Sequence, residues 1–209
     1  MHDDGAVITH IRRSLLDEPM PLDQAMDLEP DWVPDIPFIE APKPAAVLIA
    51  LVERDGGHTV VYTERSSSLR AHSGQVAFPG GKLDRPDEPP HVAALREAEE
   101  EVALEVAGAE VLGYMPPYYT GTNYLITPVV ARVRQSKAFV ANPGEVDEVF
   151  EVPLAHLRRK SNFKRHSVRL RGRSGHTWRI DYDQHVIWGI TANLTRRFHD
   201  MALAEPSHA

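Results

Sequence analysis

The chain has 209 residues, enough for one sizeable hydrophobic core, and its 42% apolar and 25% charged residues are the balance of a globular protein. Lys+Arg 23 against Asp+Glu 30 gives a formal net charge of −7, which argues against a broad basic face for nucleic acid. The chain has no Cys, so disulfides, thiolate metal sites and cysteine nucleophiles are excluded.

No apolar run approaches the roughly 18 residues of a membrane span. The N-terminal stretch MHDDGAVITHIRRSLLDEP has early acids and no apolar core of a secretory signal, so a cytoplasmic protein is expected. From Ala6 to Leu16, Val7, Ile8, Ile11, Leu15 and Leu16 recur at helical spacing and predict a short amphipathic helix. The following EPMPLDQAMDLEPDWVPDIPFIEAPKP holds seven prolines and no period, and reads as an extended arm. Trp32 and Phe38 in that arm suit either core plugs or anchors on a second subunit, and a homodimer contact or a wrap around its own domain both fit. Residues 1–44 are therefore assigned to a helix and arm, and 45–205 to the main domain.

AAVLIALVER, HTVVYTER and GQVAFPG, beginning at Ala45, are short β-rich runs broken by turn residues. A Glu-rich helix follows, with Asp87 expected to cap it and Pro89 or Pro90 in its first turn. At about 100° per residue, Val92, Leu95, Ala98 and Val102 fall on one stripe, to be buried against a sheet. Three strand-like runs come next: EVLGYM, LITPVVARVR and EVDEVFEVPL. Tyr114, Tyr118, Tyr119 and Tyr124 are placed in a loop after the helix, to pack locally or to stack on a base. FKRHSVRLRGRSGHTWRIDYD predicts a hairpin turning at Arg173–Gly175, and HVIWGITANLTRRFHDMAL a closing helix with Ile187, Ile190, Leu194 and Phe198 on one stripe. Strands on both sides of a central helix predict a layered α/β architecture with a mixed sheet. Eleven histidines show no H-E-x-x-H spacing, so a histidine metal site is not expected.

Chemistry concentrates in the Glu-rich helix. Glu97, Glu100 and Glu101 share a stripe at i, i+3, i+4, separate from the apolar one. Two carboxylates about 6 Å apart repel by roughly 3 kcal/mol at an effective dielectric of 20, and by much less in open water. The stripe therefore faces solvent or lines a cleft in which hard cations such as Mg²⁺ or Mn²⁺ compensate it.

The window Phe78–Leu104, FPGGKLDRPDEPPHVAALREAEEEVAL, resembles the Nudix hydrolase signature G-x5-E-x7-R-E-U-x-E-E-x-G-U, where U is a bulky aliphatic residue. Arg96-Glu97-Ala98-Glu99-Glu100-Glu101 reproduces its centre and Gly81 stands in front. Six residues separate Gly81 from Glu88, which leaves Asp87 and Glu88 both open as the first acid, and Ala103 occupies the final glycine position. The resemblance implies a Nudix-type α/β/α sandwich with a central mixed sheet. It also implies Mg²⁺ or Mn²⁺ held by Glu97, Glu100 and Glu101, Arg96 orienting Glu97, and water attacking a diphosphate. The general base would be Glu97 or a later acid, Glu145 or Glu148.

Just upstream, TERSSSLRAHSGQVAFPGG (Thr63–Gly81) resembles the motif of Nudix coenzyme A pyrophosphatases, L-L-T-x-R-S-x3-R-x3-G-x3-F-P-G-G. Thr63, Arg65, Ser66, Arg70, Gly74, Phe78, Pro79, Gly80 and Gly81 match it, and VIWGITANLTRRF resembles the subfamily's last helix. The implied substrate is the small molecule coenzyme A or a derivative, cleaved to 3′,5′-ADP and 4′-phosphopantetheine. Arg65 and Arg70 would offer planar forks to phosphate, with His72 and Gln75 as further donors and Gly80 and Gly81 allowing close approach. Arg65 and Arg70 could instead simply pair with the acids of the helix. Rival readings are another Nudix substrate (ADP-ribose, NADH, a nucleoside triphosphate) and a catalytically silent nucleotide-sensing domain.

Overall fold

The computed structural model describes residues 4–21, 40–67, 74–85, 87–170 and 173–204. Trp32, Phe38, Arg70 and His72 lie outside them. The first helix, α1 (Asp4–Ser14), is followed by β1 (Lys43–Arg54), β2 (Gly57–Arg65), β3 (Val76–Ala77) and β4 (Gly80–Lys82). The Glu-rich helix is α2 (Pro90–Val102); β5 (Ala109–Tyr114), β6 (Tyr118–Tyr119), β7 (Tyr124–Val133) and β8 (Val146–Pro153) come next. After a single turn, α3 (Leu154–Leu157), the chain forms β9 (Phe163–Leu170), β10 (Arg173–Tyr182) and β11 (His185–Trp188), then α4 (Gly189–Phe198) with a π-helical end.

The main sheet runs β3-β2-β1-β7-β5, with β4 on β1, β6 on β7 and β8 on β2. The β1–β7 pair is parallel from Lys43↔Tyr124 to Val52↔Val133, and the other pairs are antiparallel, which makes the sheet mixed. Strand β1 explains the layering. Leu48, Ala50 and Val52 enter the core beneath α2, whereas Ile49 and Leu51 enter the core beneath α1 and α4. A strand buried on both faces must read as a continuous apolar run, and AAVLIALV does. The result is the α/β/α sandwich with a central mixed sheet. The antiparallel β9–β10–β11 sheet packs on the α4 side through Phe163, Ile180 and Ile187.

Local details differ from the sequence expectations. The N-cap of α2 is Pro89, not Asp87, with Pro90 in the first turn. The buried face of α2 carries Ala93, Ala94, Ala98, Glu101 and Val102, while Val92 is 44% exposed. Small alanines let α2 approach the sheet closely, and this rotates the buried face toward Glu101. The expected turn at Arg173–Gly175 lies inside β10, where Arg173 already pairs with Leu170. His185–Trp188 is a strand rather than the start of the closing helix, because it pairs with Arg179–Tyr182. Trp188 is 40% exposed, so it is not a core residue. The tyrosines belong to strands, and three of their hydroxyls are engaged internally: Tyr114 with His91, Tyr118 with Asn193 and Tyr119 with Asn123.

Candidate active site

Two glycines let the β4 backbone lie close to its neighbours, Gly80 against β1 and Gly81 against α2. Gly80 has φ +155, and a Cβ there would lie 2.7 Å from the Val47 Cα. A Cβ on Gly81 would fall 2.5 Å from the Glu97 carboxyl carbon. At Gly81 the neighbour is the movable end of the Glu97 side chain, but at Gly80 it is backbone, and only glycine permits that approach. Through it the Gly80 N–H donates to Glu101 Oε2 at 3.2 Å.

Glu101 is buried at 7% exposure. Burial pushes its carboxyl up to about 7; the Gly80 N–H opposes this, Glu97 and Glu145 add to it, and the Arg65 charge opposes it. The Glu97 carboxyl is also raised by burial, against the Arg96 hydrogen bond and charge, and further by Glu100 and Glu145. The charges of Glu97 and Glu145 thus act on Glu101, and those of Glu100 and Glu145 on Glu97. A cluster of oxygen donors in which burial, and then neighbouring carboxylates, disfavour the charge of one member suits hard divalent ions, so the residues fit the metal that the sequence implies.

Arg96 organises the rim. Its Nη1 donates to Glu97 Oε1 at 2.8 Å and its Nε to Glu88 Oε1 at 3.4 Å, with Glu100 Oε1 3.9 Å away. Glu88 is buried and also accepts from the Asp84 N–H at 2.6 Å. Asp87 is exposed and, among the described residues, pairs only with Arg85, whereas Arg96 reaches Glu88, so Glu88 takes the position of the first acid. The extra residue in the spacing is absorbed in the turn before α2. At its other end α2 closes on Ala103, which takes the left-handed conformation (φ 54, ψ 42) that glycine would favour there.

Glu145 reaches the cluster because the start of β8 is pinned to the end of β2. The Ser66 N–H donates to the Glu145 carbonyl at 2.9 Å, and Asn142 N–H to the Glu101 carbonyl at 2.9 Å. Glu148 does not join it. It pairs across from Glu64 and faces His185, on the other side of the β2–β8 pair. Arg65 is near enough for its charge to act on Glu101, and its backbone brackets the loop: Arg65 N–H donates to Gln75 O and Gly74 N–H to Arg65 O.

Hydroxyls of α4 hold this arrangement. Thr191 in α4 donates to the Val76 carbonyl at 2.8 Å, and the buried Tyr62 hydroxyl bonds Thr195 at 3.1 Å. These bonds fix β2 and β3, which precede the glycine pair. ITANLT carries the signal in sequence as hydroxyls one helical turn apart, but nothing local says that they point at β3.

A NUDIX domain model matches residues 42–170. The uncharacterized Nudix hydrolase NudL of Escherichia coli (strain K12) is 43% identical over 152 residues, which is 73% of this chain and 79% of the relative. The protein of the same name from Shigella boydii serotype 18 matches to the same extent. Among solved structures, RenU, a Nudix hydrolase from M. smegmatis, aligns with TM-score 0.46 and 24% identity, over 55% of this chain and 72% of its own. A domain match over most of the chain and close relatives of the same kind leave one assignment: the chain belongs to the Nudix hydrolases, and its reaction class is cleavage of a pyrophosphate bond in a nucleoside diphosphate derivative.

Proposed function

We propose that the chain hydrolyses the diphosphate of coenzyme A or a derivative, giving 3′,5′-ADP and 4′-phosphopantetheine or its acylated form. The observation that carries this reading is the position of Arg65, the first arginine of the coenzyme A-type motif, close enough to the acid cluster for its charge to act on Glu101. Coenzyme A carries a 3′-phosphate besides its diphosphate, and needs more cationic donors than a simpler nucleotide.

Glu97, Glu100 and Glu101 would hold Mg²⁺ or Mn²⁺. Bound there, such ions supply neutralisation of the diphosphate charge and acidification of the attacking water. Arg96 holds the Glu97 carboxylate in one orientation by a charge-assisted hydrogen bond to Oε1. The Gly80 N–H does the same for Glu101. Glu145 is assigned the general base, because among the described residues its carboxylate has no hydrogen bond or ion pair to compete for the proton of the attacking water. Arg65, with Arg70, His72 and Gln75 from the same loop, contacts substrate phosphate, and Gly80 and Gly81 allow the diphosphate to approach the backbone. Incubation with coenzyme A and Mg²⁺ or Mn²⁺, followed by separation of the products, tests the reading. Turnover of ADP-ribose, NADH or a nucleoside triphosphate beside inert coenzyme A would reject the substrate and leave the chemistry standing. No metal-dependent turnover of any of them would favour a silent sensing domain.

A further inference from the structure

On the face of the sheet opposite the acid cluster lies a second group of ligating side chains. Glu64 of β2 and Glu148 of β8 occupy directly paired positions, where like charges repel. His185, the first residue of β11, is inserted against both, with its side chain 6% exposed. Its Nδ1 is 3.9 Å from Glu64 Oε2 and its Nε2 is 3.5 Å from Glu148 Oε1. One ligand atom from each of the three residues lies within 4.8 Å of the others. Among the described residues no hydrogen bond engages either ring nitrogen. The imidazole is oriented by stacking on Phe150, with centroids 3.7 Å apart and an interplanar angle of 6°.

We propose that Glu64, Glu148 and His185 form a second divalent-cation site, separate from the Nudix helix, that takes a borderline transition ion of the Zn²⁺ type. Two things can neutralise a facing carboxylate pair beside an imidazole: a proton on the ring or a metal ion. A proton would draw the ring nitrogen to about 2.7–2.9 Å from its carboxylate, the length of a charge-assisted hydrogen bond. The observed separations are longer. Ligands sharing one tetrahedral ion through bonds of about 2.0–2.1 Å stand about 3.4 Å apart; the 3.5 Å between Nε2 and Glu148 Oε1 matches this, and Glu64, 3.9 Å from the other ring nitrogen, closes in by a side-chain rotation to join the same ion. The nitrogen donor favours Zn²⁺ over Mg²⁺, whereas the all-oxygen cluster on α2 favours the harder ion. The two sites share no ligand. Glu64 meets His185 on one face, and Arg65, the next residue, acts on Glu101 on the other. An ion there ties β2 and β8 to β11, the strand that leads into α4.

The test is uptake of Zn²⁺ by metal-stripped protein in the presence of excess Mg²⁺, counted per chain and read by X-ray absorption. The expected result is one Zn²⁺ with one imidazole nitrogen among oxygen ligands. Glu97→Gln leaves that uptake intact, and Glu148→Gln weakens it by more than about tenfold, because even outer partners of a metal ligand are worth that much. Glu148 is half-exposed, so its variant keeps the fold, whereas His185 is buried against Phe150 and its replacement disturbs packing; circular dichroism verifies this. Equal Zn²⁺ affinity in Glu148→Gln and the parent protein would overturn the proposal. So would loss of uptake in Glu97→Gln. Absence of Zn²⁺ uptake by the parent protein would also overturn it.

Discussion

Arg96 bridges two acids from different parts of the chain, donating through Nη1 to Glu97 at 2.8 Å and through Nε to Glu88 at 3.4 Å. The guanidinium fork makes both contacts at fixed angles, which one ammonium group cannot do. Arg96→Lys is therefore expected to keep the charge and lose the geometry. Turnover should fall on the order of 10- to 100-fold, the size of a misplacement near the reacting centre, with KM changing much less. Steady-state kinetics reads the split, and an unchanged kcat would show that Glu97 needs no such holder.

Glu101 makes metal-free stability depend on pH with a definite sign. Its carboxyl is raised to about 7 from an ordinary 4.5, so between those values the folded state binds more protons than the unfolded chain. Stability is then greatest at low pH within this window and declines as pH rises toward about 7, by about 3 kcal/mol in all at about 1.4 kcal/mol per pH unit. Added Mg²⁺ should raise the Tm more at pH 8 than at pH 5.5, because binding requires the ionised carboxylate. Thermal melts at the two pH values, with and without the ion, check this.

Glu101→Gln separates function from stability. The amide still accepts the Gly80 N–H and carries no charge to bury, so the metal-free variant should melt higher than the parent protein at pH 8. Its turnover should be at least about 10²-fold lower, typical of a lost charge-stabilising group. Loss of activity together with loss of stability would instead mark a purely structural residue.

Ala103→Gly should stabilise the fold. A non-glycine residue in the left-handed region costs about 1–2 kcal/mol, and glycine's extra freedom in the unfolded chain returns about 0.4–1 kcal/mol of that. A net gain of roughly 0.5–1 kcal/mol in chemical denaturation, with activity unchanged, is expected.

Thr191→Val removes the donor to the Val76 carbonyl and leaves that oxygen buried without it. The expected cost is about 1–3 kcal/mol, measurable in the same denaturation experiment.

The layers were legible because hydrophobic periodicity writes them directly: β1 reads as a two-faced buried strand and α2 as an amphipathic helix. The common flank of Glu97, Glu100 and Glu101 was legible through helical spacing, while the family resemblance offered Glu145 and Glu148 alike as a further acid. What stayed hidden depended on tertiary pairing. Nothing near His185 in the sequence says that four residues of apparent helix will add to β10. Glu148 seemed equivalent to Glu145 until the β2–β8 register set the two acids on different faces. The choice between Asp87 and Glu88 required seeing which carboxylate Arg96 reaches.

The central claim is that the carboxylates crowded on one flank of α2 exist to hold divalent ions against a diphosphate. Crystals grown with Mn²⁺ and coenzyme A, with anomalous scattering used to locate the metal, test it directly. The account predicts manganese beside Glu97, Glu100 and Glu101, with the diphosphate against Gly80 and Gly81. A clean map in which that flank faces solvent and binds no manganese would contradict it.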